Sequence, residues 1–359
     1  KKMGIYLIIL VLVGLIGHGA SDSDDLQVLI AGSIQHYGGL IAVVSSVAHH
    51  AKSKKVRFVI AVAPGESQTQ INTALKCAAL EHDVYLIEFS LNGWPASNSN
   101  DLSAKKRLAE PLNYVRFFVT DYFNTGRVIY LDSDVLIRND LALLDTAAAV
   151  GFSENPDASV AIVPRDYKKV CGHVVHCTVA AKFANTTTEQ LSQRLQAFNA
   201  GVFVINLQNW RNFRIKEKVA YWIRLNLQYR IYDLGSNPPL VLAIAQDYVR
   251  LDPHWNCLRG LRKQHYHNTI CWDQAYIRHF PGDLKPWKQP ISHARAIGWE
   301  PPNIPSSAYC RAALTQIGLD PVIFSSRSTK YNTTARRRRL LLYLHLKEED
   351  KHIPILRSR

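Results

Sequence analysis

The chain has 359 residues, 47% of them hydrophobic, which is enough to bury the core of one large α/β domain and excludes a disordered protein. Lysine and arginine number 43 against 29 acidic residues, a formal charge of +14 that favours anionic partners such as phosphorylated ligands. Part of the excess is one run, Arg336 to Arg339, which reads as a solvated tail. No zinc-finger spacing or aromatic RNA-binding pattern accompanies it, so no nucleic-acid partner is expected.

Lys1 and Lys2 precede an uncharged apolar run from Met3 to Gly17, closed by the polar SDSDD. The run is at the upper edge of a signal-peptide core and slightly short of the roughly 20 residues of a membrane span. A cleaved signal and a short N-terminal membrane anchor over residues 1–20 both remain open, and both place the rest of the chain in the secretory lumen. The sequons at Asn185 and Asn332 and the six cysteines agree with that compartment. Cys171 with Cys177 and Cys257 with Cys271 are plausible pairs that leave Cys77 and Cys310, although spacing alone leaves the connectivity open.

From Leu26 onward strand-like and helix-like segments alternate. LQVLIAG is a buried strand candidate, and GGLIAVVSSVAHHA carries apolar residues at helical spacing. VRFVIAVA is a second strand ending at Pro64-Gly65, a helix runs to Glu81, and VYLIEFS is a third strand. Residues 91–106 read as a polar surface loop, and PLNYVRFFVTDYF as a helix with Pro111 at its start. RVIYLDSD then brings Asp132 and Asp134 to a strand's C-terminal end, and Asn139 is placed to cap the helix DLALLDTAAAV. AGVFVINL is a further strand, followed by one long amphipathic helix from Asn209 to about Tyr229. The alternation predicts an α/β fold with a mixed, mainly parallel sheet flanked by helices. No internal repeat or long linker divides it. The expected organisation is residues 1–20 as signal or anchor, 21–300 as one catalytic domain, and 301–359 as a C-terminal extension with the basic run.

The chemistry centres on IYLDSDVLI, where two carboxylates interrupt an apolar strand. Unpartnered buried carboxylates are costly, so the flanking residues demand either Lys or Arg partners or a cation. Residues two apart share a strand face, so Asp132 and Asp134 can converge on one ion while Ser133 turns away. His279, opening HFPGDLKPW at another strand end, is the third ligand candidate, and one imidazole with two carboxylates tilts the choice from magnesium to Mn2+. In the same nonapeptide Gly282 lets backbone amides approach a phosphate, and Lys285 offers a positive charge to a diphosphate.

These motifs, in the order PLNYVRFF, VIYLDSDVLI, FNAGVFVINLQNWR and HFPGDLKPW, resemble glycosyltransferase family 8, retaining enzymes that use nucleotide-sugar donors. FNAGVFVINLQNW, NPPLVLAIAQ and LDPHWN look closest to the animal glycosyltransferase 8 domain-containing proteins. The resemblance implies a GT-A type fold. It also implies manganese held by Asp132, Asp134 and His279, with Lys285 and Gly282 beside the UDP leaving group. Ala31 and Ser33 would lie against uridine, Tyr37 would offer a stacking face, and Arg116 would reach the donor's phosphate or sugar. Ser133, Asn199 and Gly201 would line the donor site, and Asn199 and Asn237 are the catalytic candidates. Two positions depart from the pattern: Ser33 replaces an acidic residue of many members, and Asn237-Pro238-Pro239 stands where bacterial galactosyltransferases carry Asp-Gln-Asp. The implied activity is transfer of a hexose-type sugar from a UDP-sugar to a glycan, glycoprotein or glycolipid in the Golgi or ER lumen, by a single-pass type II or secreted protein. The alternative is an inactive secretory protein that keeps the nucleotide-sugar site to bind glycans or partners.

Overall fold

The computed structural model describes residues 25–324, apart from residues 67, 96–107, 170, 172–174, 245–246 and 260–268. The N-terminal apolar run, most of the expected 91–106 loop, the Asn332 sequon and the arginine run lie outside the described residues.

β1 (Leu26–Ala31), α1 (Tyr37–His50), β2 (Val56–Val62), α2 (Gln68–Ala79) and β3 (Asp83–Glu88) form the first alternating units. A 3-10 segment, Pro111–Phe118, leads through α3 (Val119–Tyr122) into β4 (Arg127–Asp132), followed by β5 (Val135–Ile137), α4 (Leu141–Glu154) and β6 (Val160–Lys169). α5 (Cys177–Phe183) and α6 (Thr188–Arg194) precede β7 (Gln196–Asn206), α7 (Leu207–Asn212), α8 (Ile215–Tyr229), α9 (Asn237–Ile244) and β8 (Tyr248–Arg250). β9 (Cys257–Leu258), α10 (Thr269–Gln274), β10 (Ile277–His279), α11 (Ile291–Ala296) and α12 (Ala308–Gln316) complete the described chain.

The main sheet has seven strands in the order β3-β2-β1-β4-β7-β6-β8. β1, β2, β3 and β4 pair in parallel, β7 runs antiparallel to both β4 and β6, and β8 is parallel to β6. The expected mixed, mainly parallel sheet is therefore present. Because strand side chains alternate, Val28 and Ile30 face one layer and Leu29 and Ala31 the other. The first layer packs under α1, α2, α4 and α12 through residues such as Leu40, Val44, Leu75, Leu144 and Leu314; the second holds Tyr114, Phe117, Trp210, Trp222 and Leu240. Burial on both faces explains why these strands read as continuous apolar runs.

A second, small sheet has the order β5-β10-β9. β5 pairs antiparallel with β10 so that Val135 lies opposite His279, and the Phe280 amide donates to the Asp134 carbonyl at 2.9 Å.

Local readings needed correction in four places. Asp134 lies in the turn after β4 rather than on the strand, so the turn, not strand alternation, sets its direction. The cap of α4 is Asp140, which accepts from the Ala142 amide at 3.0 Å, while Asn139 accepts from the Asp140 amide. PLNYVRFF is a 3-10 segment, in which the Asn113 carbonyl accepts from Arg116 Nε at 3.1 Å. The long helix breaks at Arg214, whose φ is +53°. α7 is held apart from α8 by Asn209 donating to the Pro156 and Ala158 carbonyls and by Arg211 donating to those of Phe123 and Asn124.

Three disulfides join Cys77 to Cys310, Cys171 to Cys177 and Cys257 to Cys271. Residues 301–324 pack on the domain, with Ile304, Cys310, Leu314 and Phe324 in its core. No helix among the described residues is long and apolar enough to cross a membrane. The Cys77–Cys310 bridge spans 233 residues and ties α12 to α2. Replacing both cysteines by serine is expected to cost about 2–5 kcal/mol, read as a fall of several degrees in the calorimetric unfolding midpoint.

Candidate functional site

Asp132 ends β4 beside Ala31 of β1, at the carboxyl edge of the parallel strands where α/β sheets bind ligands. Its Oδ1 is already engaged, accepting from Arg116 Nη2 at 3.0 Å and from the Tyr130 hydroxyl at 3.0 Å. Arg116 is 3% exposed; its guanidinium lies 4.4 Å from the Tyr130 ring centroid and also donates to the carbonyls of Ala200 and Asn113. These contacts leave Asp132 Oδ2 as the carboxylate atom presented to a ligand.

The β5–β10 pairing brings in the partners. His279, 1% exposed, sets Nε2 at 3.0 Å from Asp134 Oδ1 and 3.9 Å from Asp132 Oδ2. One ligand atom from each of the three residues lies within 4.8 Å of the others. Lys285 donates to Asp134 Oδ2. Burial alone would push the Asp134 carboxyl up, but the Lys285 ammonium and then the His279 ring outweigh it and hold that carboxyl well below the usual carboxylate range.

Two further observations show that these residues fit a hard divalent cation. Asp134 Oδ1 is buried and has only the ring nitrogen of His279, at 3.0 Å, beside it, a carboxylate–imidazole pair whose two atoms could both turn to one ion. Gly201 on β7 provides the space, because a Cβ there would collide with Asp132 Oδ2 and His279 Cε1. Gly39 serves the same site from α1: a Cβ on it would strike the Ser133 carbonyl, so only glycine lets the acidic turn lie so close to the helix.

The acidic turn opens on a cleft of about 690 Å³. Ala31, Ser33, Arg116, Ser133, Asn199, Gly282 and Lys285 all line it, as does Asn237 at the start of α9. Gly282, at φ +114°, takes a conformation that disfavours side chains, which keeps this turn open to a phosphate. Two expected donor-site residues, Gly201 and Tyr37, do not line the cleft: Gly201 lies against Asp132 and His279 beneath it, and Tyr37 is turned into the β1–α1 junction. Tyr37 is 4% exposed, and its hydroxyl donates to Glu66 Oε2 at 2.7 Å, so it braces the β1–α1 turn and offers no stacking face. Asn199 accepts from the Gly201 amide through Oδ1 at 2.9 Å, which fixes the strand conformation beneath the acidic pair.

Sequence reasoning missed three residues here. His36 lines the cleft, contacts Ser33 Oγ at 3.0 Å and stands edge-on to Trp287; burial and then the Lys285 charge push its ring below the usual imidazole range. Tyr130, inside a strand read as core, holds Asp132. Asn256, inside LDPHWN, accepts from or donates to three atoms of the site, and only its position in that motif could have drawn attention to it.

Comparisons with known proteins agree with this geometry. Residues 27–290 match the sequence profile of glycosyl transferase family 8. The human protein named Glycosyltransferase 8 domain-containing protein 1 is 27% identical over 298 residues, covering 79% of this chain and 78% of its own length. Probable galacturonosyltransferase-like 8 of Arabidopsis thaliana is 27% identical over 315 residues, covering 80% of this chain and 74% of its own. The solved structure of the galactosyltransferase LgtC with donor and acceptor sugar analogues matches with a TM-score of 0.54 at 18% identity, over 76% of this chain and 94% of that one, a likeness of fold. The matched span takes in the whole of the cleft's acidic turn, β7 and His279–Lys285, and the chain belongs to glycosyl transferase family 8.

Proposed function

We propose that this glycosyltransferase is a luminal, manganese-dependent, retaining enzyme that moves a hexose-type sugar from a UDP donor to a glycan, protein or lipid acceptor. The observation that carries the reading is the convergence of Asp132 Oδ2, Asp134 Oδ1 and His279 Nε2 at the inner wall of the cleft, with Lys285 beside them. Two carboxylates and one imidazole suit manganese better than magnesium, which prefers an all-oxygen shell.

Departure of UDP places negative charge on a diphosphate, and stabilising that charge is the main electrostatic task of the site. A bound Mn2+ would act there as a Lewis acid on the leaving group. Lys285 is placed to shift from Asp134 to the diphosphate, and Gly282 lets backbone amides approach it. Arg116 keeps Asp132 oriented and lines the cleft toward the donor. Ala31, Ser33 and Ser133 stand where the nucleoside end would pass the sheet edge, and Asn199 and Asn237 stand along the sugar end. Retention is compatible with attack on the departing face or with a covalent intermediate, and no nucleophile is assigned. The luminal location is supported by the N-terminal apolar run and by three disulfides, which persist in oxidising compartments.

One observation favours a binding role without catalysis. Pro238 and Pro239 occupy the first turn of α9, so of the positions that resemble the Asp-Gln-Asp of bacterial galactosyltransferases only Asn237 offers a polar side chain to the cleft. The full chain, incubated with Mn2+ and a panel of UDP-sugars, is expected to release UDP from one donor and to retain the anomeric configuration by NMR. Asp134→Ala should lower that rate by at least about 100-fold, in line with removal of a metal ligand. No turnover of any donor, with UDP still bound, would favour the binding reading. Expression in animal cells should give a chain that loses mass on treatment with an N-glycosidase, and Asn185→Gln should remove part of that loss. Asn185 is exposed in the turn between α5 and α6, at φ +50°. A chain that shows no glycosidase-sensitive mass would contradict the luminal location.

A further inference from the structure

The metal site holds a positioning device outside its three ligands. Asn256 closes the 3-10 turn Pro253–Asn256, which Asp252 caps by accepting from the His254 amide at 2.8 Å, and it is 5% exposed. The next residue, Cys257, begins β9 and is bridged to Cys271. Its side chain therefore projects from a turn fixed at both ends.

The direction of its amide is set by atoms that cannot turn over. Asn256 Nδ2 donates to the Asn199 backbone carbonyl at 3.2 Å, with Asn199 Oδ1 at 3.4 Å. A carbonyl only accepts, and Asn199 Oδ1 is itself oriented by the Gly201 amide at 2.9 Å. The opposite amide orientation would press oxygen against oxygen at both contacts. The amide oxygen must therefore face His279, and it lies 2.9 Å from Nδ1. An acceptor at that distance requires a proton on Nδ1, which leaves Nε2 as the ring atom directed at Asp134 Oδ1 and Asp132 Oδ2.

We propose that Asn256 is a positioning residue that fixes the tautomer and ring plane of His279, so that Nε2 is presented to the cation with its lone pair free. The same amide joins β7, through Asn199, to β10, through His279, so the metal seat and the strand edge expected beneath the donor sugar move as one unit. This inference rests on the cation reading of the site, and its support is independent of which sugar is transferred. Outer hydrogen-bond partners of metal-bound histidines typically change metal affinity about 10- to 100-fold when removed.

The test uses the full chain and Mn2+ alone, with affinity read from the electron paramagnetic resonance of free Mn2+. Asn256→Leu is expected to weaken Mn2+ binding about 10-fold or more while the circular dichroism spectrum is kept. Binding within threefold of the parent would overturn the proposal. His279→Ala separates the two levels of the argument. If it binds Mn2+ as tightly as the parent, the cation reading itself fails; if it binds weakly while Asn256→Leu binds normally, only the role of Asn256 fails. A second measurement does not depend on any variant at position 256 folding. In the metal-free parent with nitrogen-labelled histidine, the His279 signals being identified by their loss in His279→Ala, NMR should find a proton on Nδ1. An Nδ1 without a proton would overturn the proposal.

Discussion

Two strands of three residues each, β5 and β10, carry the functional logic of this molecule. Their antiparallel pairing, with Val135 opposite His279 and the Phe280 amide on the Asp134 carbonyl, holds an imidazole from late in the chain against an acidic turn from its middle. Without it, neither His279 nor Lys285 would be held at the acidic turn, and Asp132 would keep only Arg116 and the Tyr130 hydroxyl. With it, three ligand atoms converge, and a buried carboxylate oxygen of Asp134 faces the His279 ring. The larger sheet supplies stiffness: β4 delivers Asp132 between β1 and β7, and Gly201 on β7 leaves room for an ion.

The electrostatics of the site are arranged for exchange of partners. Each carboxylate spends one oxygen on a cationic side chain, Asp132 on Arg116 and Asp134 on Lys285, and keeps the other for the ligand position. Arg116 is deeply buried and bound to two backbone carbonyls as well, so it is a permanent part of the wall. Lys285 lies on a loop beyond β10 beside the glycine turn and is paired with Asp134, and under the proposed function it is the side chain that would follow a diphosphate. Under the proposed function, such a site would neutralise its own carboxylates before a donor arrives and offer positive charge to the leaving group afterwards.

Much of this was legible in the sequence because it depends on local pattern. Continuous apolar runs separated by helical periodicity gave the parallel units, and Asp132 and His279 at strand ends followed from where those runs stop. What escaped detection depends on contacts made across the fold. The resemblance implied a stacking face at Tyr37, and only the approach of Glu66 across the fold shows where its hydroxyl is engaged. The break at Arg214 is imposed by Asn209 and Arg211 reaching distant carbonyls. Asn256 carries no signal of its own, since its task is defined entirely by Asn199 and His279. Departures from the family pattern were visible at once, whereas the structural partners that give them meaning were not.

The proposed chemistry depends on where an ion binds. Crystals of the full chain grown with Mn2+ and UDP, with diffraction recorded at the manganese absorption edge, would locate it directly. A single anomalous peak bonded to Asp132 Oδ2, Asp134 Oδ1 and His279 Nε2 is expected, with Lys285 withdrawn from Asp134 toward the diphosphate. A peak elsewhere, or a complex in which His279 remains outside bonding distance of the ion, would contradict the proposed chemistry.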